Sequence, residues 1–237
     1  MPYDEIASSL GLVCRRLTLP NMGMLGTCFS LSSARHFVTA AHCVKSVPMA
    51  DLVVQTLGLG STRSPVVKVT THATADLSIL TIDLPDEHFV TPLKLGTLDA
   101  SYGGAPVASF GFPSDTTHMG TAENFFTRTG PTLRFFRGHV QRTGLHVSQD
   151  GYTYSAMELS FAAPAGLSGG PVFMSERNEP VALIAENQES STYLRTITDV
   201  REGGIEFHET IHSVINYAIA VDLTIVRAWL EAETRDA

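Results

Sequence analysis

Pro164-Ala165-Gly166-Leu167-Ser168-Gly169-Gly170-Pro171 sets one serine between glycines inside an otherwise apolar, strand-like region. A serine hydroxyl is a poor nucleophile at neutral pH, so a nucleophilic Ser168 requires a base to take its proton and a third group to orient that base. Two other segments supply both. Phe37-Val38-Thr39-Ala40-Ala41-His42-Cys43 ends an apolar run on a histidine, and Ala75-Asp76-Leu77-Ser78-Ile79-Leu80 opens another on an aspartate. Taken singly, each has an ordinary structural reading. The histidine could be a satisfied core residue, the aspartate a turn residue, and the glycines a flexible turn. Their joint occurrence in the order His, Asp, Ser points to one site.

The 237 residues are 43% hydrophobic and 17% charged, with 19 Gly and 12 Pro, a balance that suits a soluble globular enzyme with one or two compact cores. The formal charge of −8 argues against a nucleic-acid or anionic-membrane surface, which needs clustered Lys and Arg. Arg15-Arg16 and the Arg128 to Arg142 region are too sparse to form such a patch. No apolar run approaches the ~20 residues of a membrane helix. Met1-Pro2-Tyr3-Asp4-Glu5 is acidic where a secretory signal would be basic, so a cytoplasmic location is expected. No His/Cys cluster has metal-ligand spacing, and neither metal nor cofactor is expected.

Short strand-like runs recur along the chain: Cys28-Leu31, Phe37-Ala40, Leu52-Thr56, Val66-Thr70, Leu77-Ile82, Val107-Phe110, Phe135-Arg142, Tyr154-Leu159, Pro171-Met174 and Val181-Ala185. Gly, Pro, Asn, Asp and Ser separate them, which predicts an all-β barrel or sandwich rather than βαβ units. Asp99-Ala100-Ser101-Tyr102-Gly103-Gly104 reads as a linker. It divides the chain into residues 1–98, carrying His42 and Asp76, and residues 99–237, carrying Ser168. Pro113 to Pro131 and Glu186 to His212 exceed ordinary loop length and read either as regulatory segments or as solvated hairpins. Leu223, Val226, Trp229 and Leu230 share one face of a helix expected over about 222–233, with Asp222 as its N-cap.

The segments around His42, Asp76 and Ser168 resemble those of the trypsin-like (chymotrypsin-fold) serine peptidases, and the likeness covers roughly residues 23 to 232. The spacings, 34 residues from 42 to 76 and 92 from 76 to 168, suit that family. The resemblance implies two antiparallel six-stranded β-barrels with the active site between them and a C-terminal α-helix. It implies a serine endopeptidase acting on protein or peptide substrates, with Ser168 as nucleophile, His42 as general base and Asp76 orienting it. Gly166 and Ser168 N–H groups would form the oxyanion hole.

By the same resemblance Ala162, six residues before the nucleophile, is the floor of the primary pocket. Ala163, Ala185 and Glu186 would be further lining, with Val181 to Ala185 as the pocket strand. An alanine floor favours apolar or small side chains before the cut, while Glu186 leaves a basic preference open. Cys28 and Cys43 lie near positions that the family often bridges, but Cys28 falls one or two residues late. With only three cysteines in the chain, reduced thiols are expected.

Leu167 stands where zymogen relatives carry an Asp that pairs with a newly cut N-terminus, so activation by such cleavage is not expected. Either the enzyme is constitutively competent or a regulatory protein partner orders its loops. The pattern is closer to bacterial trypsin-like and HtrA-type peptidases, and by analogy to intracellular signalling or defence effectors. Two other readings stand beside the endopeptidase: a catalytically silent peptide-binding relative, and an esterase or acyltransferase using the same nucleophile.

Overall fold

Strand alternation builds two cores from one set of strands. The structure, a computed structural model, describes residues 8–16, 22–56, 62–84, 90–97, 103–113, 116–120, 125–129, 132–174, 177–201 and 205–235. Strands β1 (Leu10–Arg16), β2 (Met22–Ser30), β3 (His36–Thr39), β4 (Leu52–Thr56), β5 (Thr62–Thr71) and β6 (Ser78–Ile82) close into a barrel in the order β1-β2-β3-β6-β5-β4. β7 (Pro106–Gly111) opens the second half. A two-stranded hairpin follows, β8 (Thr116–Gly120) with β9 (Phe125–Thr129). β10 (Arg134–Val147), β11 (Thr153–Leu159), β12 (Pro171–Met174), β13 (Pro180–Arg201) and β14 (Ile205–Asp222) then close with β7 in the order β10-β11-β14-β13-β12-β7. The expected pair of six-stranded antiparallel barrels is present.

Because successive side chains point to opposite faces of a strand, the second barrel presents two apolar surfaces. Met157, Leu159, Ala182, Ile184, Ala218 and Ala220 fill its interior. The alternate positions Tyr154, Ala156, Leu183, Ala185, Ile219 and Val221 belong instead to the cluster containing the first-barrel residues Phe29, Val38 and Leu80. That outer face is therefore the one turned to the first barrel, and Ala185 lies on it. No helix of the described residues is long and apolar enough to cross a membrane.

Four details refine the sequence reading. Glu186 to His212 forms a hairpin, one of its two readings: β13 and β14 stay paired from Ala182↔Asp222 to Arg201↔Ile205, well past the barrel. Their polar residues belong to a two-stranded arm whose backbone groups satisfy one another, with Gly203-Gly204 outside the described residues. Pro113 to Pro131 likewise contains a hairpin. In the linker, Gly103-Gly104 forms a turn with Gly104 at φ +82°, and Asp99 to Tyr102 lie outside the described residues.

The expected helix from Asp222 is corrected. Asp222 is the last residue of β14, and its Oδ1 accepts hydrogen bonds from Thr224 N (2.9 Å) and Thr224 Oγ1 (2.6 Å). This Asx turn uses the side chain that a helix N-cap would need. Helix α1 runs only from Arg227 to Glu233, with no side-chain cap. It still packs on the barrel: Leu230 is buried, and Trp229 meets the His72 ring edge-on at 5.0 Å.

Candidate active site

His42 sits in a single 3-10 turn, Ala41–Cys43, immediately after β3, and Asp76 in the bend that leads into β6. Both strands belong to the first barrel and are direct neighbours, which brings together residues 34 apart. Asp76 is 1% exposed, and its carboxylate is held twice by the same residue: His42 N donates to Oδ1 (2.9 Å) and Nδ1 lies 2.6 Å from Oδ2. An ionised carboxylate only accepts, so Nδ1 carries the proton.

The other ring nitrogen, Nε2, faces the Cys43 sulfur at 3.5 Å. Burial alone would lower the His42 pKa. The hydrogen bonds to Asp76 and Cys43, with their electrostatic attraction, outweigh it and raise the pKa from 6.5 to about 10. His42 therefore rests as the imidazolium, and must lose a proton before it can act as a base.

Ser168 lies in the loop between β11 and β12 of the second barrel, and its Oγ donates to the Ala185 carbonyl at 3.2 Å rather than to His42. Leu167 N bonds to Pro164 O (3.0 Å) and Gly170 N to Leu167 O (2.8 Å), while Gly169 N and Ile184 O (2.7 Å) tie the loop to β13. Gly166 and Gly169 adopt φ of +89° and +88°, conformations that glycine reaches without steric cost. At Gly169 a Cβ would also come within 1.9 Å of the Thr27 carbonyl. Among the described residues the Gly166 and Ser168 N–H groups have no partner, which leaves two donors beside the serine hydroxyl.

Leu167 is fully buried in the second barrel, and its Cδ1 lies 2.5 Å from where a Cβ at Gly111 would be. The loop is thus anchored by apolar packing at the position where an ion pair would otherwise hold it.

Ala162 is exposed and Ala163 buried, and Ala163 N donates to Asn187 Oδ1 at 2.9 Å, joining this segment to β13 beside Ala185. Glu186 follows Ala185, but its carboxylate is engaged by His146 Nε2 of β10 at 3.3 Å. Neither Cys28 nor Cys43 is in a disulfide: Cys28 packs against Gly11 inside the first barrel, and Cys43 against Gly26 where the barrels meet.

Three participants were not singled out from the sequence. Thr27 N donates to Ser168 O (2.8 Å), and Thr27 Oγ1 both donates to Gly166 O (2.8 Å) and accepts from Phe112 N (3.0 Å). His146 and Tyr154 stand side by side on the inter-barrel face, ring centroids 5.4 Å apart. The Tyr154 hydroxyl is buried with no hydrogen-bond partner among the described residues, and its pKa is pushed up by burial and by the Glu186 and Asp76 carboxylates. A lone Thr, His or Tyr carries no local signal for such roles.

Comparison with known proteins places this geometry. The model of the trypsin-like peptidase domain matches residues 26–183. Solved structures share the fold at low identity. The protease domain of MamO from Magnetospirillum magneticum is 15% identical, with TM-score 0.63 over 99% of this chain and 100% of that one. The Rv3671c protease in its inactive form is 16% identical, with TM-score 0.57 over 97% and 91%. The HtrA-type protease AlgW with a decapeptide is 14% identical, with TM-score 0.61 over 96% of this chain and 65% of that one. No curated protein sequence matches. Two antiparallel barrels meeting at a buried His–Asp pair and a glycine-flanked serine, together with a family model spanning most of both barrels, establish that the chain belongs to the trypsin-like peptidase domain family.

Proposed function

We propose that this chain is a serine endopeptidase in which Ser168 attacks the scissile carbonyl, His42 takes and returns the proton, and Asp76 holds His42. The observation that carries the reading is the buried Asp76 carboxylate, which accepts both the main-chain N–H and the Nδ1 proton of His42. That grip leaves Nε2 as the only ring atom free to exchange a proton with a hydroxyl. In the reaction Nε2 of neutral His42 removes the Ser168 proton as Oγ bonds to the carbonyl carbon, and gives it to the departing amine as the C–N bond breaks. Water then hydrolyses the acyl-enzyme by the same proton route. The unpartnered Gly166 and Ser168 N–H groups would receive the oxyanion.

Two contacts must be exchanged first. Ser168 Oγ leaves the Ala185 carbonyl, a side-chain rotation within a braced loop, and Nε2 leaves the Cys43 sulfur. These resting contacts favour a second reading, a peptide-binding relative without turnover. Peptide substrates fit either one, since AlgW was solved with a decapeptide. Cys28 and Cys43, not joined in a disulfide, support action in a reducing compartment, as in an intracellular effector. A fluorophosphonate probe separates the readings. Labelling at Ser168 together with hydrolysis of peptide amides supports the endopeptidase, whereas peptide binding without labelling supports the silent relative.

A further inference from the structure

On the second barrel lies a cleft lined by Arg142, Leu145, His146, Ala156, Glu158 and Ile219 among others. Two contacts connect it to Ser168. The serine hydroxyl is held by the Ala185 carbonyl, and the next residue, Glu186, pairs across the sheet with Ile219 and through its side chain with His146. Glu158 is also opposite Ile219, through β11, because Glu158 and Ile219 are register partners. One row across the inter-barrel face therefore reads Arg142, Glu158, Ile219, Glu186.

We propose that this cleft is a subsite for a Lys or Arg side chain of the peptide substrate, at a position other than the one immediately before the cut. The proposal rests on the peptidase reading and adds the substrate class. Glu158 and Glu186 are only 15% and 18% exposed. Glu186 is held by one imidazole nitrogen. Glu158 is capped by Arg142 Nε at 2.7 Å, but that arginine is itself 76% exposed. Such a solvent-facing ion pair contributes little and opens readily. When Arg142 swings away, the half-buried Glu158 carboxylate is left over a floor of Ala156 and Ile219, with Glu186 across the sheet from Ile219 and beside His146. A lysine or arginine stem can lie along that floor with its cationic head toward the carboxylates. An acidic side chain would meet like charge there, and an apolar one would take water from the carboxylates without replacing it.

The test uses the full chain and a peptide library varied one position at a time. Cleavage rates are read for the wild type, and peptide affinities for Ser168→Ala. At one position other than that before the cut, Lys or Arg should exceed Glu and Leu at least tenfold. Glu186→Gln and Glu158→Gln should each reduce that preference severalfold, and Arg142→Ala, a surface change, should strengthen it. Equal treatment of Lys and Glu at every such position, or a preference untouched by both glutamate variants, overturns the subsite. The peptidase reading fails separately, through an absence of probe labelling and cleavage; peptide affinities for Ser168→Ala then still decide the subsite.

Discussion

The backbone N–H of Thr27, on the first barrel, donates to the carbonyl of Ser168, on the second, at 2.8 Å. The Thr27 hydroxyl adds two further bonds, to the carbonyl of Gly166 and from the N–H of Phe112. One strand residue thus grips the loop on either side of Leu167, and the peptide groups of Gly166 and Ser168 are oriented from the opposite barrel. Glycines at 26 and 169 make room for this approach, since a Cβ at Gly26 would lie 2.8 Å from Ser168 O.

Thr27→Val keeps the shape and deletes the hydroxyl. It leaves the Gly166 carbonyl and the Phe112 N–H unpaired in a buried setting, at about 1–3 kcal/mol for each group that stays unsatisfied. The melting temperature should fall by several degrees, since about 1 kcal/mol corresponds to roughly 2–4 °C in a chain of this size. kcat/KM should drop at least tenfold. Calorimetry and peptide kinetics together check this, and an unchanged kcat/KM would show that the clasp does not hold the loop in its working form.

Ser168→Ala and His42→Ala should each abolish turnover while the protein stays folded. Single knockouts in a serine triad cost about 10⁶ in kcat. Ser168→Ala removes only one hydrogen bond, to Ala185 O, so its unfolding transition should match the wild type. More than a tenth of wild-type activity in either variant sinks the assignment of these two residues.

The raised pKa of His42 sets the pH response. The imidazolium is the resting form, so kcat/KM should climb toward alkaline pH with a midpoint well above the ordinary 6.5. Folding stability runs the other way. A group whose folded pKa is raised contributes stability that is fully present below about 6.5 and is lost as pH rises through about 10. Cys43→Ala removes one of the two hydrogen bonds that raise the value, so the activity midpoint should move to lower pH. A wild-type midpoint at or below 6.5, or one that Cys43→Ala leaves in place, contradicts this account.

Immediately before the cut, apolar or small side chains should be preferred over Lys and Arg. Ala162 and Ala163 offer no charge, and the Glu186 carboxylate sits on the His146 side, with β10, rather than with them. A cation buried there without a partner is costly. A tenfold or greater preference for Lys or Arg at that position, about 1.4 kcal/mol, would place a carboxylate in the primary pocket.

Much of the barrel architecture was legible from local pattern. Short apolar runs between turn residues identified most strands, and His42, Asp76 and Ser168 each stood in a compact motif. Two features are only partly legible in the sequence for a common reason: β1 is not identified, and Glu186 to His212 reads as a solvated hairpin without its register. β1, Leu10–Arg16, is bounded by no strong turn signal, and the outer part of the β13–β14 arm is polar. In both, the backbone pairs with a strand that local sequence does not specify, and two polar strands bonded to each other need no apolar face to form a ladder. Asp222 was misread because the same short acidic side chain suits a helix cap and an Asx turn, and the following Thr224 decided between them.

The sequence by itself determined which residue types could do chemistry, because a serine between glycines, a histidine ending an apolar run and an aspartate opening one are local facts. Only the tertiary structure decided their partners. Closure of the barrels put Cys43 against Nε2 of His42, Ala185 O against the Ser168 hydroxyl, Thr27 across from Ser168, and His146 on Glu186. Each of these except the Cys43–His42 contact joins residues distant along the chain. Their geometry follows from strand order and register, which are set by the packing of the whole molecule.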